Sequence, residues 1–69
     1  MREERETVGA LIRRARQDRG LTQRQLAERL HVTDKSVSKW ERDVCRPDVA
    51  LLEPLAEALG LGVLQLVTG

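Results

Sequence analysis

The sequence is poor in aromatic residues: Trp40 is the only one, and neither Phe nor Tyr occurs among its 69 residues. A hydrophobic core must therefore consist mainly of Leu, Val, Ile and Ala side chains. Cys45 is the only cysteine, which excludes an internal disulfide and favours a reducing cytoplasm. No apolar run reaches membrane-spanning length, and the charged start, MREERE, has no signal-like apolar region behind it.

The chain has the length of one small domain, and its apolar content of 41% suits a helical bundle and is too high for disorder. The net charge of +1 is uninformative, but its distribution is uneven. Residues 10–46 carry ten Lys or Arg and five Asp or Glu, a net of +5, whereas residues 47–69 carry three acidic residues and no cation. Such a basic segment is either an ordinary solvated face or a surface that meets phosphates.

Residues 21–42, LTQRQLAERLHVTDKSVSKWER, have the pattern of two short helices joined by a tight turn. Thr22 is a favourable N-cap for the first helix, and Gln25 three residues later completes a capping box. Thr33 caps the second helix in the same way. The segment is therefore predicted to be a helix-turn-helix over residues 22–42.

The second of these two helices has unlike faces when its residues are placed at about 100° each around the axis. Val37 and Trp40 fall on one side, with Glu41 close to Val37, so Trp40 is assigned to the core rather than to stacking. The opposite side carries Lys35, Ser38, Lys39 and Arg42. A helix held along one flank and cationic on the other is suited to the major groove of DNA.

This segment resembles the helix-turn-helix of the Cro and phage-repressor family, the lambda-repressor-like domains. The resemblance covers roughly residues 8–69 and rests on Ile12-Arg13-Arg14, Gly20-Leu21-Thr22-Gln23, Leu26-Ala27, Leu30, Val32, Val37-Ser38-Lys39-Trp40-Glu41-Arg42, Pro47, Leu51, Leu55-Ala56 and Leu59-Gly60. It implies an all-α fold, a compact five-helix lambda-repressor-like DNA-binding domain that occupies residues 1–69. His31 and Asp43 stand where the family usually has glycine, at positions that need a left-handed backbone.

Apolar periodicity predicts the helices on either side of this motif. The first runs from about residue 7 to residue 19, preceded by charged residues 1–6 that fray or add a turn. The fourth runs from Asp48, as its N-cap, to Leu59, and Pro54 is expected to kink or loosen it. Its predicted buried stripe consists of Leu52, Leu55, Ala56 and Leu59.

The last segment, LGLGVLQLV, is predicted to begin a fifth helix near Gly62. It is apolar nearly all round, and a domain of this size cannot bury all of it. The remainder should meet a second copy of the chain or a further domain. A homodimer would use Leu61, Val63, Leu64, Leu66 and Val67.

The predicted contacts with double-stranded DNA fall into two groups. Base edges are assigned to Lys35, Ser36, Ser38 and Lys39, because lysine donates to guanine O6 and N7. Phosphates are assigned to Gln23, Arg24, Arg42 and Arg46, and the family motif implies the same role for Gln23. Asp34 either accepts from a cytosine amino group or stabilises the helix N-terminus, and the second is favoured because phosphates repel a carboxylate.

One predicted pair is structural. Glu41 points partly inward, where a lone carboxylate is costly, and Arg16 at the edge of the first helix is its candidate partner. The family resemblance implies the same ion pair. The alternative is that Glu41 is merely solvated.

The resulting prediction is a sequence-specific DNA-binding transcriptional regulator, such as a repressor, that acts as a dimer on a near-palindromic operator. The alternative is a protein-interaction module or antitoxin-like regulator in which DNA contact is secondary. An enzyme is disfavoured, because no Ser/His/Asp set and no phosphate loop occur. His31 and Cys45 are the only soft metal ligands and do not make a zinc site, so His31 is assigned to a turn and Cys45 to a loop.

Overall fold

The computed structural model describes residues 6–68, so the prediction that residues 1–6 fray or add a turn falls, for residues 1–5, outside the described range. Five helices follow one another: α1 Val8–Asp18, α2 Gln23–Leu30, α3 Asp34–Glu41, α4 Val49–Leu59 and α5 Val63–Thr68. The predicted all-α, five-helix class is confirmed. Within the described range, no helix is both long and apolar enough to cross a bilayer.

Short polar side chains start the first three helices. Thr7 Oγ1 accepts a hydrogen bond from the Ala10 amide at 3.1 Å, and Thr33 Oγ1 accepts from the amide three residues on at 3.2 Å. At α2 the predicted capping box is complete: the Gln25 amide donates to Thr22 Oγ1 at 3.0 Å, and the Thr22 amide donates to Gln25 Oε1 at 2.9 Å. Asp48 precedes α4 as predicted, but its side chain makes no capping hydrogen bond.

The first four helices share one type of C-terminal turn. In each, a residue with a left-handed backbone follows the helix, and the next amide donates to a carbonyl five residues back, as Val32 donates to Ala27 and Val44 to Lys39. The left-handed residues are Gly20, His31, Asp43 and Gly60, with φ of 70°, 59°, 60° and 70°. The left-handed prediction for both non-glycine positions is confirmed.

Replacing His31 with glycine is expected to stabilise the protein by about 0.5–1 kcal/mol. Glycine adopts positive φ without the strain of about 1–2 kcal/mol that other L-residues carry, while its greater freedom in the unfolded chain removes part of the gain. The His31 side chain is exposed, so little packing is lost. Urea unfolding would measure the change. His31→Ala, which keeps a Cβ, should bring no gain, and equal stability of both variants would argue against strain.

One hydrophobic core joins all five helices. Its buried residues are Val8, Ile12, Ala15, Leu26, Ala27, Leu30, Val37, Trp40, Leu55, Ala56, Leu59 and Leu66. The predicted stripe of α4 is correct except at Leu52, which is only half-buried at the edge of the core. The helix runs through Pro54 without interruption.

The five residues predicted to form the dimer contact, in and just before α5, lie in two different environments. Leu66 is only 2% exposed, because it packs into the core of its own chain, so the prediction that it forms part of a dimer surface is wrong. Leu61 is half-buried and packs against the same core. Val63, Leu64 and Val67 are 39%, 73% and 50% exposed, and these three make up what we call the C-terminal apolar patch.

Candidate nucleic-acid interface

The two flanks of α3 differ as the sequence predicts. Val37 is fully buried and Trp40 is 4% exposed, so α3 is held against the core along this side. Lys35 and Lys39 are exposed on the helix, and Arg42 follows at its C-terminal end. Their spacing of i, i+4 and i+7 places the three cations on one stripe. We call this stripe the cationic stripe.

Arg16 and Glu41 hold the C-terminal end of α3 against α1. Arg16 Nε donates to Glu41 Oε2 at 2.6 Å and Nη2 donates to Oε1 at 3.1 Å, a bidentate pair. The two side chains are only 11% and 3% exposed. Arg16 Nη1 also donates to the Leu21 carbonyl at 2.7 Å, which joins the turn before α2 to the same cluster.

Gln23, predicted as a phosphate contact, lies half-buried at the start of α2 and belongs to this cluster. Its Nε2 donates to Glu41 Oε1 at 3.0 Å. The side chain therefore ties the N-terminus of α2 to the C-terminus of α3, which sequence reasoning missed. Because an amide nitrogen carries two hydrogens, one remains for a second acceptor.

The two serines assigned to base edges are both half-buried and already engaged within the chain. Ser36 lies in the first turn of α3, and its Oγ is 3.2 Å from Thr33 Oγ1. Ser38 Oγ accepts from Arg42 Nε at 3.3 Å, and the same Nε reaches the Ser38 carbonyl at 3.3 Å. As acceptor in that bond, Ser38 keeps its own O–H for another partner.

The remaining predicted phosphate contacts are exposed arginines in different settings. Arg24, the second residue of α2, lies 3.7 Å from Glu28 in a pair that is 80% and 69% exposed. Arg46 is exposed in the loop between α3 and α4. Arg14 on α1, which is not among the predicted phosphate contacts, donates twice to Glu6 at 2.9 Å, and these hydrogen bonds hold the pKa of Glu6 below its ordinary value.

A second junction between α1 and α3 involves Gly9 and Asp43. The Gly9 amide donates to Asp43 Oδ1 at 3.0 Å. A Cβ added at Gly9 would clash with the Trp40 carbonyl oxygen and lie 2.8 Å from that of Glu41. Sequence reasoning missed this contact, although a glycine inside a helical pattern is a signal of close packing.

Nothing in the described part of the chain resembles a metal centre, since no three His, Cys, Asp or Glu side chains converge there. His31 occupies the turn after α2, and Cys45 is exposed in the loop with a free thiol. The chemistry of the site is therefore that of cations, amides and hydroxyls presented by helices.

A helix-turn-helix family model matches residues 12–66, and the chain therefore belongs to the helix-turn-helix family of DNA-binding transcriptional regulators. The immunity repressor protein of Bacillus phage phi105 is 41% identical over 61 residues, which cover 88% of this chain and 42% of that repressor. An uncharacterised HTH-type transcriptional regulator of Sinorhizobium fredii is 38% identical over 64 residues, covering 93% of this chain and 83% of the relative.

The fold also matches solved structures of repressors. The P22 c2 repressor in complex with a synthetic operator superposes with a TM-score of 0.86 and 27% identity, covering 90% of this chain and 94% of that one. The predicted lambda-repressor-like architecture is thereby confirmed. The chain thus corresponds to less than half the length of the phi105 repressor.

Proposed function

We propose that the protein binds duplex DNA sequence-specifically, with α3 as the recognition helix in the major groove, and that it regulates transcription as a repressor does. The observation that carries this proposal is the cationic stripe on a helix whose opposite flank is buried. The major groove admits one α-helix, and its base edges differ in their donors and acceptors. The named repressor relative and the operator-bound P22 structure support the same class of partner.

Base reading is assigned first to Lys35 and Lys39, because both are exposed on the outer side of α3. A lysine ammonium donates to O6 and N7 of guanine, so a preference for G·C pairs at two positions is expected. Ser36 and Ser38 are secondary contacts, since each hydroxyl already has a partner within the chain. Asp34 is the first residue of α3, where the positive end of the helix dipole stabilises its carboxylate.

Phosphate contacts are assigned to Gln23, Arg24, Arg42 and Arg46. Gln23 would use its second amide hydrogen together with the free backbone amides at the start of α2, while the first hydrogen stays on Glu41. Arg24, Arg42 and Arg46 are exposed, so their guanidinium groups are accessible to a DNA backbone. These contacts set the register of the protein on DNA without reading sequence.

A dimer is proposed to form through the C-terminal apolar patch. Val63, Leu64 and Val67 expose apolar surface on one short helix, and a second copy would cover it around a twofold axis. Two recognition helices about 34–36 Å apart would then enter successive major grooves of a near-palindromic site. A DNA partner and the free thiol of Cys45 are in keeping with a reducing cytoplasm.

Lys39→Ala is expected to cost about 1–3 kcal/mol of binding free energy on the preferred site and to relax the preference at one base pair. Arg42→Ala is instead expected to weaken binding to all sequences and to flatten the dependence of log K on log salt by about one unit. Titrations of each variant against the selected site and a random duplex, at two salt concentrations, separate these effects.

Arg29→Ala is the matched control, because it removes one exposed cation from α2 at a position with no assigned DNA contact. If Lys39→Ala and Arg42→Ala lose the same affinity on every duplex, the division between base reading and phosphate contact is wrong. The preferred site itself would come from selection out of a random DNA pool, which also returns the half-site spacing.

The second candidate is a protein-interaction module with secondary DNA contact, and the exposed C-terminal apolar patch favours it as much as it favours a dimer. A gel shift against random duplex at two salt concentrations separates the two. DNA binding predicts a complex that weakens steeply with salt. The absence of any salt-dependent complex at micromolar protein would favour the interaction module.

A further inference from the structure

The C-terminal end of α3 is attached to α1 at two separate points. At one point, Arg16 holds the Glu41 side chain in the bidentate pair. At the other, Asp43 Oδ1 accepts the Gly9 amide at 3.0 Å. Gly9 and Arg16 are seven residues apart on one helix, so the two attachments lie about 10 Å apart along α1.

We propose that Asp43 is a positioning residue for DNA recognition. It links the C-terminal end of α3 to the N-terminus of α1 and thereby sets the direction of α3. The inference rests on the proposed function, since it concerns how α3 meets base edges. The proposed role does not require Asp43 to touch a base. It acts through the placement of Lys35 and Lys39.

Two separate attachments limit the rotation of a helix more than a single attachment does. The core contacts of Val37 and Trp40, the Arg16–Glu41 pair and the Gln23–Glu41 hydrogen bond hold α3 in place but still allow a small rotation at its C-terminal end. A rotation of about 10° at this end would displace the Lys35 end by about 2 Å, given seven residues at a rise of 1.5 Å each. Hydrogen bonds to base edges do not tolerate such a displacement. The contact between Asp43 and Gly9 adds a further restraint against this rotation, away from the Arg16–Glu41 pair.

The chemistry of Asp43 agrees with this role. Its φ of 60° is a conformation that glycine adopts without strain, so the side chain is present at some cost to the backbone. What the side chain adds is an acceptor for the Gly9 amide, which has no partner within its own helix because it lies in the first turn of α1. The carboxylate also faces the positive end of the α1 dipole. A glycine at position 43 would relieve the backbone and lose the attachment.

Asp43→Gly and Asp43→Asn form a matched pair for the test. Both remove one negative charge, so their general attraction to phosphates changes equally. Asparagine tolerates a left-handed backbone and keeps Oδ1 as acceptor, whereas glycine keeps only the backbone conformation. Dissociation constants on the selected site and on a random duplex, at two salt concentrations, give the ratio of specific to non-specific affinity.

Asp43→Asn is expected to keep this ratio within about twofold of the unchanged protein, and Asp43→Gly to lower it about five- to tenfold, with the same salt slope for both variants. If the unchanged protein discriminates between duplexes but the two variants have equal ratios, the proposed role of Asp43 is overturned and the proposed function is not. If the unchanged protein shows no preference between duplexes, the proposed function fails as well.

Circular dichroism and urea unfolding establish that both variants are folded under the binding conditions. If Asp43→Gly is too unstable, His31→Gly is added to both variants, because that change lies at the other end of α3 and is expected to restore stability. A merely structural role of Asp43 would lower stability without changing the specificity ratio of the folded fraction. That outcome also overturns the proposal.

Discussion

Arg16→Ala is expected to lower the free energy of unfolding by about 3–5 kcal/mol. The Glu41 side chain is 3% exposed, and without Arg16 the hydrogen bond from Gln23 is the one that would remain to it among residues 6–68. A buried carboxylate without its cation is costly, because neither water nor a counter-charge stabilises it. A single core of this size rarely supplies more than about 3–5 kcal/mol, so a large fraction of the molecules should be unfolded at 25 °C.

Arg14→Ala is the control for this prediction, because it removes an arginine from the same helix. Its bidentate pair with Glu6 is exposed, at 57% and 38%, and solvent screening makes such a pair weak. Urea unfolding followed by circular dichroism would compare the two variants. If Arg16→Ala loses no more stability than Arg14→Ala, the assigned structural role of the Arg16–Glu41 pair is wrong. Replacing both partners by apolar residues, as in Arg16→Met with Glu41→Leu, should recover much of the loss.

Gly9→Ala is expected to destabilise the protein by about 3 kcal/mol, the upper end of the usual cost of overpacking. The added Cβ would clash with the Trp40 carbonyl oxygen and lie 2.7 Å from Asp43 Oδ1. Because one of these neighbours is backbone, α1 and α3 would have to separate. Alanine is otherwise the better helix former by about 1 kcal/mol, so the measured sign decides between packing and propensity.

Gly62→Ala is the matched substitution for Gly9→Ala. Its Cβ would meet Gln65 Oε1 at 3.6 Å, an ordinary contact. We expect little change in the midpoint of thermal unfolding for Gly62→Ala and a marked decrease for Gly9→Ala. Equal midpoints would show that α1 and α3 are less closely packed at Gly9 than the distances indicate.

The local features of this fold could be predicted from the sequence because they depend on neighbouring residues. Thr22 with Gln25 forms the capping box, and both His31 and Asp43 adopt the left-handed backbone. Each depends on interactions within about six residues of chain. The amphipathic pattern of α3 likewise identified its buried side, since Val37 and Trp40 are one helical turn apart.

Features that depend on distant contacts were harder to predict. Gln23 is assigned to phosphate from its place at the start of α2, and nothing in its neighbourhood indicates that Glu41, 18 residues away, also lies within hydrogen-bonding distance. Leu66 was assigned to a dimer because α5 is apolar nearly all round, so no pattern distinguishes its inner side. Asp43 was interpreted only as a strained turn residue, since its acceptor role depends on Gly9, 34 residues earlier.

The separation of α3 into a buried flank and an exposed flank has a consequence for how such regulators diverge. Lys35 and Lys39 contribute little to the core, so their replacement leaves folding almost untouched. The attachment of α3 to the rest of the domain depends on Val37, Trp40 and Glu41, so substitutions at these positions would destabilise the fold. If Lys35 and Lys39 read bases as proposed, related proteins could acquire new binding sites by a few substitutions on the exposed flank while the fold stays intact.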